Sequence, residues 1–129
     1  MRNEYEQAEL KDLIGKMMIS VRNVDDREII FETDDTRTYK LWHNQDCCES
    51  VYVESVVGDL SDLVGVPILM AEEVSSREDP EGYVDESYSR ESFTWTFYKF
   101  ATIKGYVDIR WYSSSNGYYS ESVDFDEVP

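Results

Sequence analysis

The sequence predicts an α+β domain: a single twisted antiparallel β-sheet, a meander of six to eight strands, with a short N-terminal helix packed on it. Three observations lead there. The 129 residues suit one domain with one core, spanning 1–129. Short runs alternate apolar with polar residues and are separated by Asp, Asn, Ser and Gly, the chemistry of turns. Ten Tyr, five Phe and three Trp supply the large side chains that pack well on a half-buried pleated surface. Two small sheets in a barrel-like arrangement would use the same strands and form the alternative architecture.

The elements follow in order. Residues 4–13 read as an amphipathic helix, with Tyr5, Ala8, Leu10, Leu13 and Ile14 as its apolar side and Gly15 as its stop. Strands are predicted over 17–22, 28–33 and 38–42, joined by turns at Asn23–Asp26 and Asp34–Thr36. Residues 43–50 interrupt the pattern. A β-branched strand resumes over 51–57. One helical turn follows, with Asp59 as its cap and Gly65 as its end, and then a strand over 67–74. Ser75–Ser92 reads as a long acidic loop.

The C-terminal third alternates most strongly. Phe93, Trp95, Phe97, Ala101 and Ile103 are placed on one face of a strand, and Val107, Ile109 and Trp111 on one face of the next. Trp95, Phe97, Ile103, Val107, Ile109 and Trp111 are the predicted centre of the core. Tyr98, Tyr106, Tyr112 and Tyr118 fall on the opposite, polar faces. Residues 118–125 are expected to close a three-stranded meander, and Asp124–Pro129 reads as an acidic tail.

Charge narrows the partners. Twelve Lys and Arg against 28 Asp and Glu leave a formal charge of −16. Such a chain repels nucleic acid and anionic lipid, so neither direct nucleic-acid binding nor membrane binding is expected. A basic protein surface is the natural complement. The acidic Glu78–Glu91 stretch and the Asp34–Asp35 turn are the candidate contacts. No run approaches the ~18–20 apolar residues of a membrane span. The N-terminus has no apolar signal region either, so a cytoplasmic protein is expected.

One cluster could carry chemistry. The only histidine, His43, lies just before the only two cysteines, Cys47 and Cys48. Imidazole and thiolate are the preferred ligands of Zn2+. His43, Cys47 and Cys48 are therefore predicted to hold a structural zinc, with Asp46 the choice for the fourth position and Glu49 nearby. The competing readings are a buried cysteine pair beside a surface histidine, and a Cys–His catalytic dyad. The dyad is the weaker, because the surrounding carboxylates raise a thiol's pKa. The cysteines are expected as two reduced thiols, since adjacent cysteines form a disulfide rarely. The sequence contains no Gly-rich phosphate loop, no H-E-x-x-H and no G-x-S-x-G, so no enzyme is predicted and no catalytic residue is nominated.

The stretch His43-x-Gln45-Asp46-Cys47-Cys48-Glu49 is followed by Val-Val-Gly-Asp-Leu-x-Asp-Leu over 56–63 and Pro-Ile-Leu-x-Ala-Glu-Glu over 67–73. With the aromatic run 94–112 and Asn-Gly-Tyr-Tyr-Ser-Glu over 116–121, the chain resembles a family of small phage and mobile-element domains without an assigned function. The resemblance covers roughly residues 12–125. It is similar to what a zinc-containing type II anti-CRISPR protein would look like. The resemblance implies an inhibitor in the host bacterial cytoplasm that binds the RNA-guided CRISPR nuclease and blocks target-DNA loading by occupancy. An accessory or structural phage domain without an inhibitory role is the alternative.

Overall fold

In the computed structural model, which describes residues 5–80 and 91–129, the chain is almost entirely β-structure in two antiparallel sheets. The strands are β1 (Glu6–Gln7), β2 (Met18–Val24), β3 (Glu28–Thr33), β4 (Thr38–Trp42), β5 (Ser50–Val57), β6 (Met70–Ser76), β7 (Ser92–Thr102), β8 (Gly105–Ser115) and β9 (Asp124–Val128). The first sheet has the order β1-β9-β4-β3-β2 and the second β5-β8-β7-β6. Two short 3-10 turns, Leu10–Leu13 and Leu60–Leu63, complete the described elements. Among the described residues no helix is long and apolar enough to cross a membrane.

The expected single sheet with an N-terminal helix is therefore corrected on both counts. A helix of about ten residues is marginal in water unless a full apolar stripe is buried. Here only Leu13 is fully buried, and Ile14 stays 48% exposed. Glu6 and Gln7 instead pair with Glu127 and Asp126 of β9, and a single 3-10 turn delivers Leu13 to the core. The single sheet fails because two connections leave their sheet. Residues 43–49 carry the chain from β4 to β5, and residues 116–123 carry it back from β8 to β9. The predicted closing strand over 118–125 does not join β8. The acidic tail is itself β9, paired with β4 so that Trp42 faces Asp124 and Thr38 faces Val128.

Each sheet buries one face against the other. On the first sheet Ile29 and Phe31 of β3, Tyr39 and Leu41 of β4 and Phe125 of β9 point inward. Tyr39 stacks on Phe125 at 5.5 Å, and Phe31 meets Phe100 of the second sheet at 5.4 Å. On the second sheet Tyr98, Phe100, Val107, Ile109 and Trp111 answer them. Beyond β2 and β6 the two sheets are stitched by backbone bonds, Gly15 N–H to Ile68 O at 2.8 Å and Gly65 N–H to Met18 O at 2.9 Å. Gly58 is required where β5 ends: its φ is +103°, and a Cβ there would lie 2.6 Å from the Tyr106 carbonyl. Asp59 then caps the second 3-10 turn, accepting from Ser61 N–H at 2.9 Å, as its place in the sequence predicts.

The predicted core needs a register correction. Trp95, Val107, Ile109 and Trp111 are fully buried, but Phe97 is only half-buried and Ile103 is 82% exposed. Tyr98 and Tyr112, expected at solvent or, if the sheet is covered on both sides, in the core, are buried. In β7 the even positions Thr96, Tyr98 and Phe100 face the other sheet. Trp95 lies on the outer face, covered by Tyr112 at 4.6 Å and by the Arg110 guanidinium at 5.1 Å, with its Nε1–H donating to Asp79. Aromatics on both faces of one strand give the same alternation in either phase, so the pattern alone does not choose.

Two substitutions separate these registers. Phe100→Ala, a fully buried site, should cost about 3–5 kcal/mol in chemical denaturation. Ile103→Ala should stay within about 0.5 kcal/mol of the parent protein. A reversed ranking would restore the other phase.

Candidate functional site

The H-x-Q-D-C-C-E segment is the first crossing between the sheets. A chain leaving a sheet must satisfy the backbone groups its ladder no longer serves. Here one buried side chain does it. The Glu49 carboxylate, with no exposed side-chain surface, accepts from the amides of Asp46 at 2.8 Å and Cys47 at 2.9 Å. It also accepts from His43 Nε2–H at 2.6 Å. The Gln45 amide group donates to the carbonyls of Cys47 and Glu49, which closes the turn from the other side.

His43 reaches further. Its Nδ1–H donates to the carbonyl of Ser122 at 2.7 Å. Ser122 belongs to the second crossing, so the imidazole ties the two crossings together. Both partners of the ring are oxygen acceptors, so the imidazole is held from both sides. Burial alone would push the Glu49 carboxyl up. The hydrogen bonds from His43 and from the Cys47 and Asp46 amides outweigh it and hold the pKa down to about 2. Beside this knot, Trp42 Nε1–H donates to the buried Asp126 carboxylate at 2.7 Å, binding β4 to β9 through side chains as well as backbone.

The structure keeps the four predicted ligands in one loop without turning them to one point. His43 is nearly buried, with both nitrogens spent on Ser122 and Glu49. Asp46, Cys47 and Cys48 are exposed. Among the described residues no three His, Cys, Asp or Glu side chains form a group that could hold a metal ion. The two cysteines, expected as free thiols, are joined to each other as a disulfide, so among the described residues no free thiol remains. The turn that folds the Asp46 and Cys47 amides onto Glu49 carries the two sulfur atoms side by side. As arranged, zinc ligation by His43, Cys47 and Cys48 requires reduced cysteines and a ring released from Glu49 or Ser122.

The loop also forms one wall of a cleft of about 480 Å3, with Arg27 and Trp42 among the other lining residues. The sequence offers Glu49 only as a spare metal ligand and Gln45 only as a letter of the motif, and it does not mark Ser122. The pairing of His43 with a glutamate six residues on matches neither helix nor strand spacing, and Ser122 contributes a carbonyl, which every residue has.

The fold defines a class: an all-β domain of two antiparallel sheets joined by two hydrogen-bonded crossings. The chain belongs to the DUF7448 family, a domain of unknown function, which matches residues 11–125. No curated protein and no solved structure matches it.

Two measurements check the knot. Glu49→Ala leaves a buried imidazole N–H and two amides without their acceptor, and should cost about 3–5 kcal/mol. Glu49 also sets a pH dependence. Its folded pKa lies below the ordinary 4.5, so its stabilisation is complete above about 4.5 and is lost as pH falls toward about 2. The difference in melting temperature between the parent protein and Glu49→Gln should therefore shrink steadily across that window. A constant difference would show that the Glu49 charge does not hold the loop.

Proposed function

We propose that the domain is a non-catalytic binding module that acts by occupancy, laying its acidic surface on a basic surface of a protein partner. The observation that supports it is that six of the described cations are used in ion pairs. Lys16 pairs with Asp35 at 2.8 Å, Arg22 with Glu32 at 3.2 Å, Arg37 with Glu127 at 3.2 Å and Arg110 with Glu54 at 2.7 Å. Lys11 pairs with Glu9, and Lys40 with Glu28. Each of these cations is neutralised locally, while Asp25, Asp34 and Glu72 stand exposed with no partner for their carboxylates among the described residues. With a formal charge of −16 on the chain, the surface has little to attract phosphate.

The predicted contacts divide. In the Asp34–Asp35 turn both residues are exposed; Asp35 is engaged by Lys16 and by the Thr33 hydroxyl, which hold its pKa down. Of the Glu78–Glu91 stretch, residues 81–90 lie outside the described residues. The partner that the sequence resemblance points to is an RNA-guided nuclease of the type II CRISPR class, in a phage-encoded setting, with its nucleic-acid channel as the basic surface. Occupying that channel hinders loading of target DNA. The zinc reading of His43, Cys47, Cys48 and Asp46 belongs to the same proposal, as a structural ion that replaces the Glu49-centred knot in the reduced protein.

The test is a binding titration against the nuclease–guide complex over a salt series. Complementary exposed charges are screened over ~8–10 Å at physiological ionic strength, so affinity should fall as salt rises. The combined variant Asp25→Asn, Asp34→Asn, Glu72→Gln should bind more weakly and show a shallower salt dependence. Salt-independent binding would reduce the acidic surface to a solubility device. Absence of binding would leave the accessory-domain reading. Elemental analysis of protein purified under reducing conditions checks the metal: one zinc per chain, with a melting temperature lowered by chelation, is the expected result for the structural ion.

A further inference from the structure

The two layers are closed on one side by the segments that lead into β2 and β6. Gly15 N–H donates to Ile68 O at 2.8 Å and Ile68 N–H to Lys16 O at 3.0 Å, and Met17 is bridged to Pro67. Gly65 N–H donates to Met18 O at 2.9 Å, and Leu69 N–H to Ala101 O at 2.8 Å. The Lys104 ammonium, in the turn from β7 to β8, donates to Val64 O at 2.7 Å. Residues 14–19, 64–69 and 101–104 therefore form one continuous seam. Its inner side belongs to the core, with Met18, Ile68 and Ala101 buried. Its outer side is uncovered: Ile14, Met17, Ile19, Leu69 and Ile103 are exposed, the last three over more than half of their surface.

Two features set this seam apart. Contiguous exposed apolar side chains are uncommon on a soluble domain and mark sites of interaction. None of the seam's residues is acidic, although Asp and Glu make up 28 of the 129 residues, and its charged members are Lys16 and Lys104. Lys16 is paired with Asp35. Lys104 has the Val64 carbonyl but no carboxylate among the described residues. At the same turn the Asp62 carboxylate lies beside Gly105, where a Cβ would be 3.4 Å from its Oδ2, and no described cation pairs with it.

We propose that the seam receives a second copy of this chain in a two-fold pair. Such an interface must be complementary to itself. The apolar patch meets its own counterpart, and Lys104 of each copy meets Asp62 of the other, so that an unpaired cation and an unpaired carboxylate at one turn satisfy each other between copies. Over the rest of its surface a chain of formal charge −16 repels its copy, and the carboxylate-free seam is the face on which two copies can approach. The basic partner proposed above gains nothing there, because its cations would face lysines. Anionic lipid is repelled by the chain as a whole. Pairing through the seam leaves the acidic exterior of both copies turned outward.

Sedimentation equilibrium of the full chain, across protein concentration and salt, measures the pair. Association should strengthen several-fold as salt rises, because screening relieves the mutual repulsion and leaves the apolar contact in place. That sign is opposite to the one expected for docking on a basic surface, so the two readings fail separately. Leu69→Asp and Ile103→Asp alter exposed side chains, so melting temperatures at low protein concentration should stay close to the parent's while the dimer is lost. Tyr118→Asp, at an equally exposed position in the crossing 116–123, should leave the dimer intact. Lys104→Asp and Asp62→Lys should each weaken association several-fold, and the double variant should recover it. A chain that stays monomeric at every concentration and salt would overturn the pair. So would a dimer indifferent to Leu69→Asp and Ile103→Asp, a double variant no tighter than the single ones, or monomeric protein that co-sediments with phosphatidylcholine vesicles.

Discussion

Both passages of the chain between the sheets meet at one imidazole. His43 sits at the start of the first crossing, donates from Nε2 to the Glu49 carboxylate at its end, and donates from Nδ1 to the Ser122 carbonyl in the second crossing. A two-sheet core needs its sheets held at a fixed separation and rotation, and apolar contact between them is non-directional. The directional part comes from this knot and from the Glu121 strut, which ties the second crossing to Thr94 and Ser115 of β7 and β8. Glu49 supplies the anion, the crossing's own amides supply the donors, and burial lends these bonds strength while making an unpaired member costly.

That knot gives the H-x-Q-D-C-C-E segment a structural meaning that does not need a metal. Histidine, glutamine and glutamate each make specific bonds within the crossing, whereas Asp46, Cys47 and Cys48 present their side chains outward. The chemistry-bearing side chains are thus divided: the buried ones hold the fold, and the exposed ones are available to something outside it. The same division recurs on a larger scale. Carboxylates next to cations are consumed in ion pairs, and those on the turns and on the free edge strand β6 face solvent. Exposed ion pairs of this kind add little stability, so their main consequence is for the shape of the external field.

The second sheet shows how one strand can serve two environments. β7 turns Tyr98 and Phe100 toward the first sheet, while Trp95 closes a separate outer cluster with Tyr112 and Arg110. Three buried polar atoms on its inward side, Tyr98 OH, Trp111 Nε1 and Ser113 Oγ, lack partners. Native interiors rarely leave such groups in a cluster, and each needs a reason of its own. Tyr98 lies beside the Glu73 carboxylate, and burial first and that carboxylate second push its phenol's pKa up. Trp111 packs wholly within the core, and its ring earns its place through buried area.

The sequence by itself determined the strands. Period-two alternation, β-branched residues and Asp, Asn and Gly turns located most strands, the cap at Asp59 and the acidic exterior, because these are local properties readable over a few residues. It also marked residues 43–49 as the place where the pattern breaks. Only the tertiary structure decided which strands share a sheet. Residues 124–128 are as acidic as a solvated tail, and they form a strand because β4 offers an unpaired edge and Phe125 reaches the core. The strand phase at 93–103 and the fate of residues 4–13 were settled by what lies across from them. So was the pairing of His43 with Glu49 and with a carbonyl 79 residues away. These are contacts between segments remote in sequence, and their energies depend on burial and geometry that no local pattern carries.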